Sequence, residues 1–252
     1  MKLTILVSLL AAATQASAGR CANKPPAASP LPPAPTEAPT SSEPAAPKPT
    51  SHPPVDNPAG AYAITLAQLN KAVPASAADS YCGGKAGCVS NKVAVDAINK
   101  ALAAHKITRR SEAVAVLAWM AFESESWMYS KNMFPGNPGQ GARPMMMYEF
   151  VYQYAKTLFP DKVQDSWKGL VAGTAANNQT MNSVRDMVIA DEQYNFGAGF
   201  WYLAEHTKGY YNNPSALRDG NEDDFKKFCT EGINTSYTSG RSTVWSTVNA
   251  GL

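Results

Sequence analysis

Two glutamates one residue apart, Glu123 and Glu125, stand where a strongly apolar run ends. Residues 113–122 carry no charge and, read as a helix, are apolar on every side, which is typical of a helix in the core. Low-dielectric surroundings and the negative end of the helix dipole both favour a carboxyl group that keeps its proton. Such an acid beside a cleft can protonate the leaving oxygen of a glycosidic bond. Periodicity alone favours the simpler alternative, in which both carboxylates only mark where the helix reaches water.

Helical geometry separates the two acids. Side chains at positions i and i+2 of a helix point about 200° apart, so at most one of them faces a given cleft. Glu123 shares the more apolar face with Val116, Trp119 and Met120, which makes it the candidate general acid. Glu125 is expected to be solvated and dispensable.

A possible second catalytic group lies further along the chain. Asp191 and Glu192 come just before Tyr194 and Asn195 in an aromatic-rich helical segment, and either could position a water molecule. Acids in such places are more often simply solvated, so the second catalytic group stays open.

Four residues are candidates for substrate binding. Gln140 and Arg143 can donate hydrogen bonds to sugar hydroxyl or N-acetyl groups, or they can brace their own loop, and the sequence favours neither role. Tyr129 and Tyr152 can stack on sugar rings, although most aromatic residues of this chain should lie in the core. The three methionines at 145–147 can line a cleft, but a methionine stripe at a helix start more often serves packing.

The elements that position these residues are predicted to be helices. Apolar residues recur at helical spacing from Val93 to Leu102, and the core helix follows with Ser111 as its expected N-cap. Further helices are predicted from the methionines at 145–147 to residue 159, over 181–206 with a break near Gly197 and Gly199, around 223–228, and over about 238–248. Strand-like alternation is scarce. The domain is therefore predicted to be mainly α, with at most a small hairpin within residues 129–144.

The beginning of the chain has the features of an exported protein. Residues 1–18 combine an early lysine, a short apolar run and a final Ala-Ser-Ala, which predicts a secretory signal peptide and an extracellular protein. Residues 19–59 are rich in Pro, Ala, Ser and Thr and are predicted to form a disordered linker. Residues 60–252 then form one domain of ordinary size, expected to be a monomer.

Composition argues against two kinds of partner. The formal net charge is only +2 and no basic tract is present, so nucleic acid is not expected as a partner. After the signal peptide no stretch is long and apolar enough to cross a bilayer, so no membrane association is expected.

The four cysteines of an exported chain are expected to pair. Cys82 and Cys88 flank the glycine-containing stretch GGKAG and are predicted to pair, which leaves Cys21 for Cys229. Four cysteines allow three connectivities, and the sequence does not decide among them. No histidine lies at ligand spacing from a cysteine, so neither a metal site nor a cofactor is expected.

The end of the core helix and the following loop resemble the active-site region of the lysozyme-like glycoside hydrolase superfamily. Lytic transglycosylases and goose-type lysozymes follow an E-S-x-F helix end with G-A-x-G-L-M-Q, and secreted fungal lysozyme-like proteins pair F-E-S-G with P-G-Q-G-T-R-N-M. The matching stretches here are 122–124 (F-E-S) and 138–145 (P-G-Q-G-A-R-P-M), with departures at Glu125 and Pro144. Residues 233–245 are similar to the closing segment of chitinase-like and phage endolysin members.

The resemblance implies a lysozyme-like α+β fold and a secreted glycoside hydrolase with Glu123 as general acid. The implied substrate is an N-acetylated cell-wall polysaccharide, foremost peptidoglycan (a muramidase). The alternatives are a chitinase or chitosanase on the same scaffold, or a catalytically silent glycan-binding or effector protein. The resemblance also implies that Asn234 packs against the core, which makes Asn178 the favoured N-glycosylation site.

Overall fold

The computed structural model describes residues 60–213 and 215–252. The predicted signal peptide (1–18), the predicted linker (19–59) and Cys21 lie outside these residues.

The described part of the chain consists of helices joined by turns, and the prediction of a mainly α domain is confirmed. The helices are α1 (Leu66–Ala72), α2 (Asn91–Ala104), α3 (Arg110–Glu123), α4 (Tyr148–Leu158), α5 (Ala175–Ile189), α6 (Glu192–Trp201), α7 (Lys208–Tyr211), α8 (Glu222–Lys227) and α9 (Ser239–Gly251). Short 3-10 turns occur at Pro74–Ser76 and Asp165–Trp167, and π-helical turns at Tyr202–His206 and Phe228–Gly232.

At most a small hairpin was predicted within residues 129–144. The structure has isolated antiparallel bridges in this region, one between Lys131 and Gly141 and one between Gly141 and Met146. No helix in the described ranges is both long and apolar enough to cross a bilayer.

Helix α3 lies in the core, as its apolar sequence predicts, and residues 112–121 are all buried. Its N-cap is Arg109 and not Ser111, so that prediction is wrong by two residues. The buried carboxylate of Glu112 accepts a hydrogen bond from the Arg109 Nε at 2.7 Å and from the Tyr211 hydroxyl at 2.8 Å. The ion pair between Arg109 and Glu112 is consistent with a helix that begins at Arg110, before the predicted N-cap Ser111.

Helix α6 packs closely against α3 because Gly199 has no side chain. A Cβ added at Gly199 would lie 2.8 Å from the Met120 Sδ and 2.9 Å from the Val116 Cγ1. The predicted helix over 181–206 is indeed interrupted, but at Ala190–Asp191 and not at the glycines. Asp191 caps α6, and its carboxylate accepts a hydrogen bond from the Gln193 N–H at 2.8 Å.

Glu125 lies outside α3, in a left-handed turn that the sequence did not reveal. The φ angles of Glu125, Ser126 and Trp127 are 50°, 55° and 73°. This turn brings the indole of Trp127 into the core, where its Nε1 donates to the Asn91 Oδ1 at 2.9 Å. Glu125 is exposed, as predicted, but because the chain has left the helix and not because of helical spacing.

A disulfide joins Cys82 and Cys88 in the loop before α2. Cys229 is buried and has no disulfide partner among the described residues. Its predicted partner, Cys21, lies outside them. Burial raises the pKa of the Cys229 thiol to about 11.

A partly buried histidine makes the stability of the domain depend on pH. Burial lowers the pKa of His105 to about 4, and the charge of Glu205 opposes this effect only in part. Since the folded-state pKa lies below the unfolded value, the unfolded chain takes up the proton first. Stability is therefore full above about pH 6.5 and falls as the pH approaches 4.

We expect His105→Gln to reduce the loss of unfolding free energy between pH 7 and pH 4 by on the order of 2 kcal/mol. Urea denaturation of the variant and the wild type at both pH values measures this difference in unfolding free energy. His206→Gln is the control, because it makes the same substitution at an exposed histidine. An unchanged pH dependence in His105→Gln would contradict the assignment.

The left-handed turn gives a second prediction. Ser126→Gly should raise the free energy of unfolding by about 0.5–1 kcal/mol, because glycine adopts positive φ without the penalty of a Cβ. Ser126→Ala keeps the Cβ and should bring no gain. Thermal denaturation of both variants measures the difference, and equal stabilities would show that the turn carries no conformational penalty.

Candidate functional site

A depression opens where α3 ends. It consists of two adjoining cavities of about 220 and 470 Å³ that share five lining residues, and we refer to them together as the groove. The shared residues are Met147, Phe150, Tyr202, Ile233 and Asn234. The narrow end adds Trp119, Glu123, Pro144, Met145, Met146 and Thr235. The wide end adds His206, Thr207, Tyr210, Glu231 and Gly232.

Helix ends and turns supply most of this lining. Glu123 is the last residue of α3, and Phe150 lies in the first turn of α4. The two π-helical turns, Tyr202–His206 and Phe228–Gly232, follow α6 and α8 directly and contribute residues to the wide end.

Glu123 reaches the narrow end of the groove as half of an ion pair. Its Oε1 lies 2.5 Å from the Nη2 of Arg241, which also donates to the Thr235 hydroxyl at 3.4 Å. Arg241 is buried and its guanidinium lies 4.3 Å from the centre of the Phe122 ring. One oxygen of the Glu123 carboxylate is therefore already engaged by a protein side chain.

Aromatic rings form a continuous surface along the groove. The ring of Phe150 lies 5.1 Å from that of Tyr202 and 4.4 Å from that of His206, and Tyr202 lies 5.3 Å from Trp119. Burial and, to a smaller degree, the charge of Glu149 raise the pKa of Tyr202, so its hydroxyl stays neutral at physiological pH.

The wide end of the groove has an acidic character. Glu231 lines it, and its charge, after burial and the charge of Asp224, contributes to raising the pKa of Tyr210. None of the described side chains that line the groove is a lysine or an arginine. The charge of Glu123 at the narrow end is balanced by Arg241, so among the described lining residues the unbalanced negative charge is that of Glu231 at the wide end.

Arg143 and Glu192, candidates for binding substrate and for positioning water, form an ion pair with each other that braces the loop after α3. Arg143 is fully buried, and its Nη2 donates to the Glu192 carboxylate at 2.8 Å. Its Nη1 donates to the carbonyl oxygens of Trp127 and Tyr129 at 2.9 and 3.1 Å. These contacts tie the turn after α3 to α6.

The other predicted site residues also have local structural partners. Gln140 donates from Nε2 to the Met145 carbonyl at 3.0 Å, which is the loop-bracing alternative. Tyr152 is buried, and the Tyr129 ring lies 3.8 Å below the Lys85 ammonium. Asp191 caps α6. Of the predicted catalytic and substrate-binding residues, only Glu123 is among the described residues that line the groove.

Most residues that line the groove could not be recognised from the sequence. The methionines at 145–147 were the available signal, and all three line the narrow end. Tyr202 offered only its aromatic type, which is equally typical of a core residue. Phe150 and Glu231 gave no signal, because nothing in their spacing distinguishes them from core or surface residues. Asn234, expected to pack against the core, is exposed in the groove. Asn178 lies in the first turn of α5, and its glycosylation stays a prediction.

Within the described ranges, no group of three or more His, Cys, Asp or Glu side chains is placed to hold a metal ion.

Comparison with known proteins gives one partial match. A bifunctional dioxygenase (DOX)-epoxy alcohol synthase (EAS) from Fusarium oxysporum (strain Fo5176) is 34% identical over 125 residues, which are 50% of this chain and 9% of that relative. No family model matches the chain. No solved structure matches it.

This match contradicts the resemblance to the lysozyme-like superfamily. The curated relative belongs to a different class of enzyme, and no comparison supports a lysozyme-like protein. The predicted muramidase, chitinase or chitosanase activity, with Glu123 as general acid in cell-wall degradation, is therefore wrong. The short motif that suggested it has structural roles here, of which the Arg143 brace is the clearest.

We expect Arg143→Met to lower the free energy of unfolding by about 3 kcal/mol, because it leaves Glu192 and two carbonyl groups without their buried donor. Glu192→Gln should cost less, since Glu192 is partly exposed. The double variant should be less destabilised than the sum of the two single ones. Urea denaturation measures all three, and strict additivity would show that the pair is not coupled.

Proposed function

We propose that the domain is a recognition domain that binds a small organic molecule through the apolar body of that molecule. One observation carries this proposal: a groove lined by methionine and aromatic side chains, several of which stay accessible. The larger cavity, of about 470 Å³, falls in the size range of small-molecule sites, and the lining combines apolar and aromatic side chains with a few polar groups, as in such sites. Methionine side chains adapt to ligands of different shape.

The surroundings of Glu123 support binding over acid catalysis. Its carboxylate is held by Arg241, which Thr235 contacts as well. Glu123 and Arg241 therefore present a charge-balanced ion pair at the narrow end of the groove. Ligand contacts at this end would then come mainly from Met145 and Met147, which are more accessible than Trp119 and Met146.

The partial match is compatible with such a role. A segment of 125 residues shared with a much larger protein can serve there as one module among several. The dioxygenase and epoxy alcohol synthase activities in the name of that relative belong to a protein of which this chain spans 9%. Our proposal for this chain therefore depends on the groove. We also propose that residues 1–18 direct export, which would place the ligand outside the cell.

Titration of the full chain with 2-phenylethanol, a neutral molecule with an aromatic body, tests the groove. With 13C-methyl methionine labelling, the Met147 methyl resonance should shift on binding. Met133 is the internal control, because it is similarly exposed (59% against 51% for Met147) but lies outside the groove. Equal shifts at both methionines, or none at either, would contradict the proposal.

The same substitution at a phenylalanine inside the groove and at one outside it tests the aromatic contact. Phe150→Leu should weaken the affinity for 2-phenylethanol roughly three- to ten-fold, because an aromatic contact contributes about 0.5–1.5 kcal/mol beyond its buried area. Phe134→Leu is the control, since Phe134 is 90% exposed on a different loop and should leave the affinity unchanged. The same titration measures both variants.

A further inference from the structure

We infer that the wide end of the groove is a site for the ammonium group of a small organic amine. This inference rests on the proposed binding function and adds the chemical class and the orientation of the ligand. The ammonium would lie beside Glu231, and the apolar body would extend toward the methionines at the narrow end.

The first observation is the aromatic lining of the wide end. The rings of Phe150, Tyr202, His206 and Tyr210 all border the larger cavity. Phe150, Tyr202 and His206 lie within 5.1 Å of one another, measured between ring centres. Aromatic rings attract organic cations through the negative potential of their faces, and clusters of such rings are suited to alkylammonium groups.

The second observation is charge. Glu231 lines the cavity, and Glu149 lies close enough to Tyr202 for its charge to contribute to the raised pKa of that phenol. Neither carboxylate forms an ion pair with any described residue. An amine ligand would supply the missing positive charge, whereas an anionic ligand would meet repulsion from both acids.

The two ends of the groove differ in a way that gives the ligand one orientation. At the narrow end the carboxylate of Glu123 already has Arg241 as its partner, so a second cation has little to gain there. At the wide end Glu231 has no ion-pair partner among the described residues. The ammonium is therefore directed to Glu231, and the apolar end to Met145 and Met147, the more accessible methionines of the groove.

Two probes that share the same apolar body, one charged and one neutral, separate the contribution of charge to binding from that of apolar contact. The full chain is titrated at pH 7 and low salt with 2-phenylethylammonium and with 2-phenylethanol, and methionine methyl resonances report both. We expect the ammonium probe to bind roughly five-fold more tightly. The preference should shrink at 0.5 M NaCl, because salt screens the interaction with exposed Glu231.

Variants test the residue that carries the preference. Glu231→Gln should remove most of the difference between the probes and leave the affinity for 2-phenylethanol unchanged. Glu125→Gln, a change of the same kind at an exposed position outside the groove, should keep the difference.

The possible results separate the two proposals. Equal affinities for the two probes in the wild type, or a preference that survives Glu231→Gln, would overturn the cation site and leave the groove as a binding site. Binding of neither probe would overturn the proposed function and the cation site together.

Discussion

Helix α3 has no polar face, and the rest of the domain is arranged to cover it. A helix that is apolar on every side cannot lie against solvent, because each exposed side would leave apolar surface in water. Helix α6 covers one side by the close approach at Gly199, and the rings of Tyr202 and Phe228 contact Trp119. The guanidinium of Arg241 in α9 covers the ring of Phe122.

The same constraint explains the groove. Because residues 113–121 of α3 are enclosed, its polar groups lie only at its two ends, and Glu123 stands at the C-terminal one. Glu123 needs a partner at that point, since a half-buried carboxylate without one would be costly. Arg241 from the far end of the chain provides it and thereby joins α9 to α3. The open space beside this pair, bordered by the π-helical turns after α6 and α8, becomes the groove.

The loop motif shows why a short resemblance gave the wrong function. Gly139 has a φ of +73° and no room for a Cβ, which would lie 2.5 Å from the Tyr148 ring. Gln140 braces the loop and Arg143 is enclosed in the core. These loop residues, which match the lysozyme-like motif, therefore have roles in stabilising the fold. Residue types that stabilise a tight loop, such as glycine and a buried arginine, recur in proteins with unrelated functions. A motif of this kind therefore carries little information about chemistry unless its side chains reach a cavity.

The sequence by itself determined the helical class, the central position of α3 and the local Cys82–Cys88 loop. These follow from apolar periodicity and short separations along the chain, which depend on neighbouring residues only. Tertiary structure alone decided that Glu123 pairs with a residue 118 positions away and that Glu125 leaves the helix in a left-handed turn. It also decided that Glu192 accepts a hydrogen bond from Arg143. It also decided which aromatic residues line the groove. The physical reason is that a charged or aromatic side chain has the same local pattern whether it is solvated, buried or at a site, and only the elements packed around it distinguish these cases.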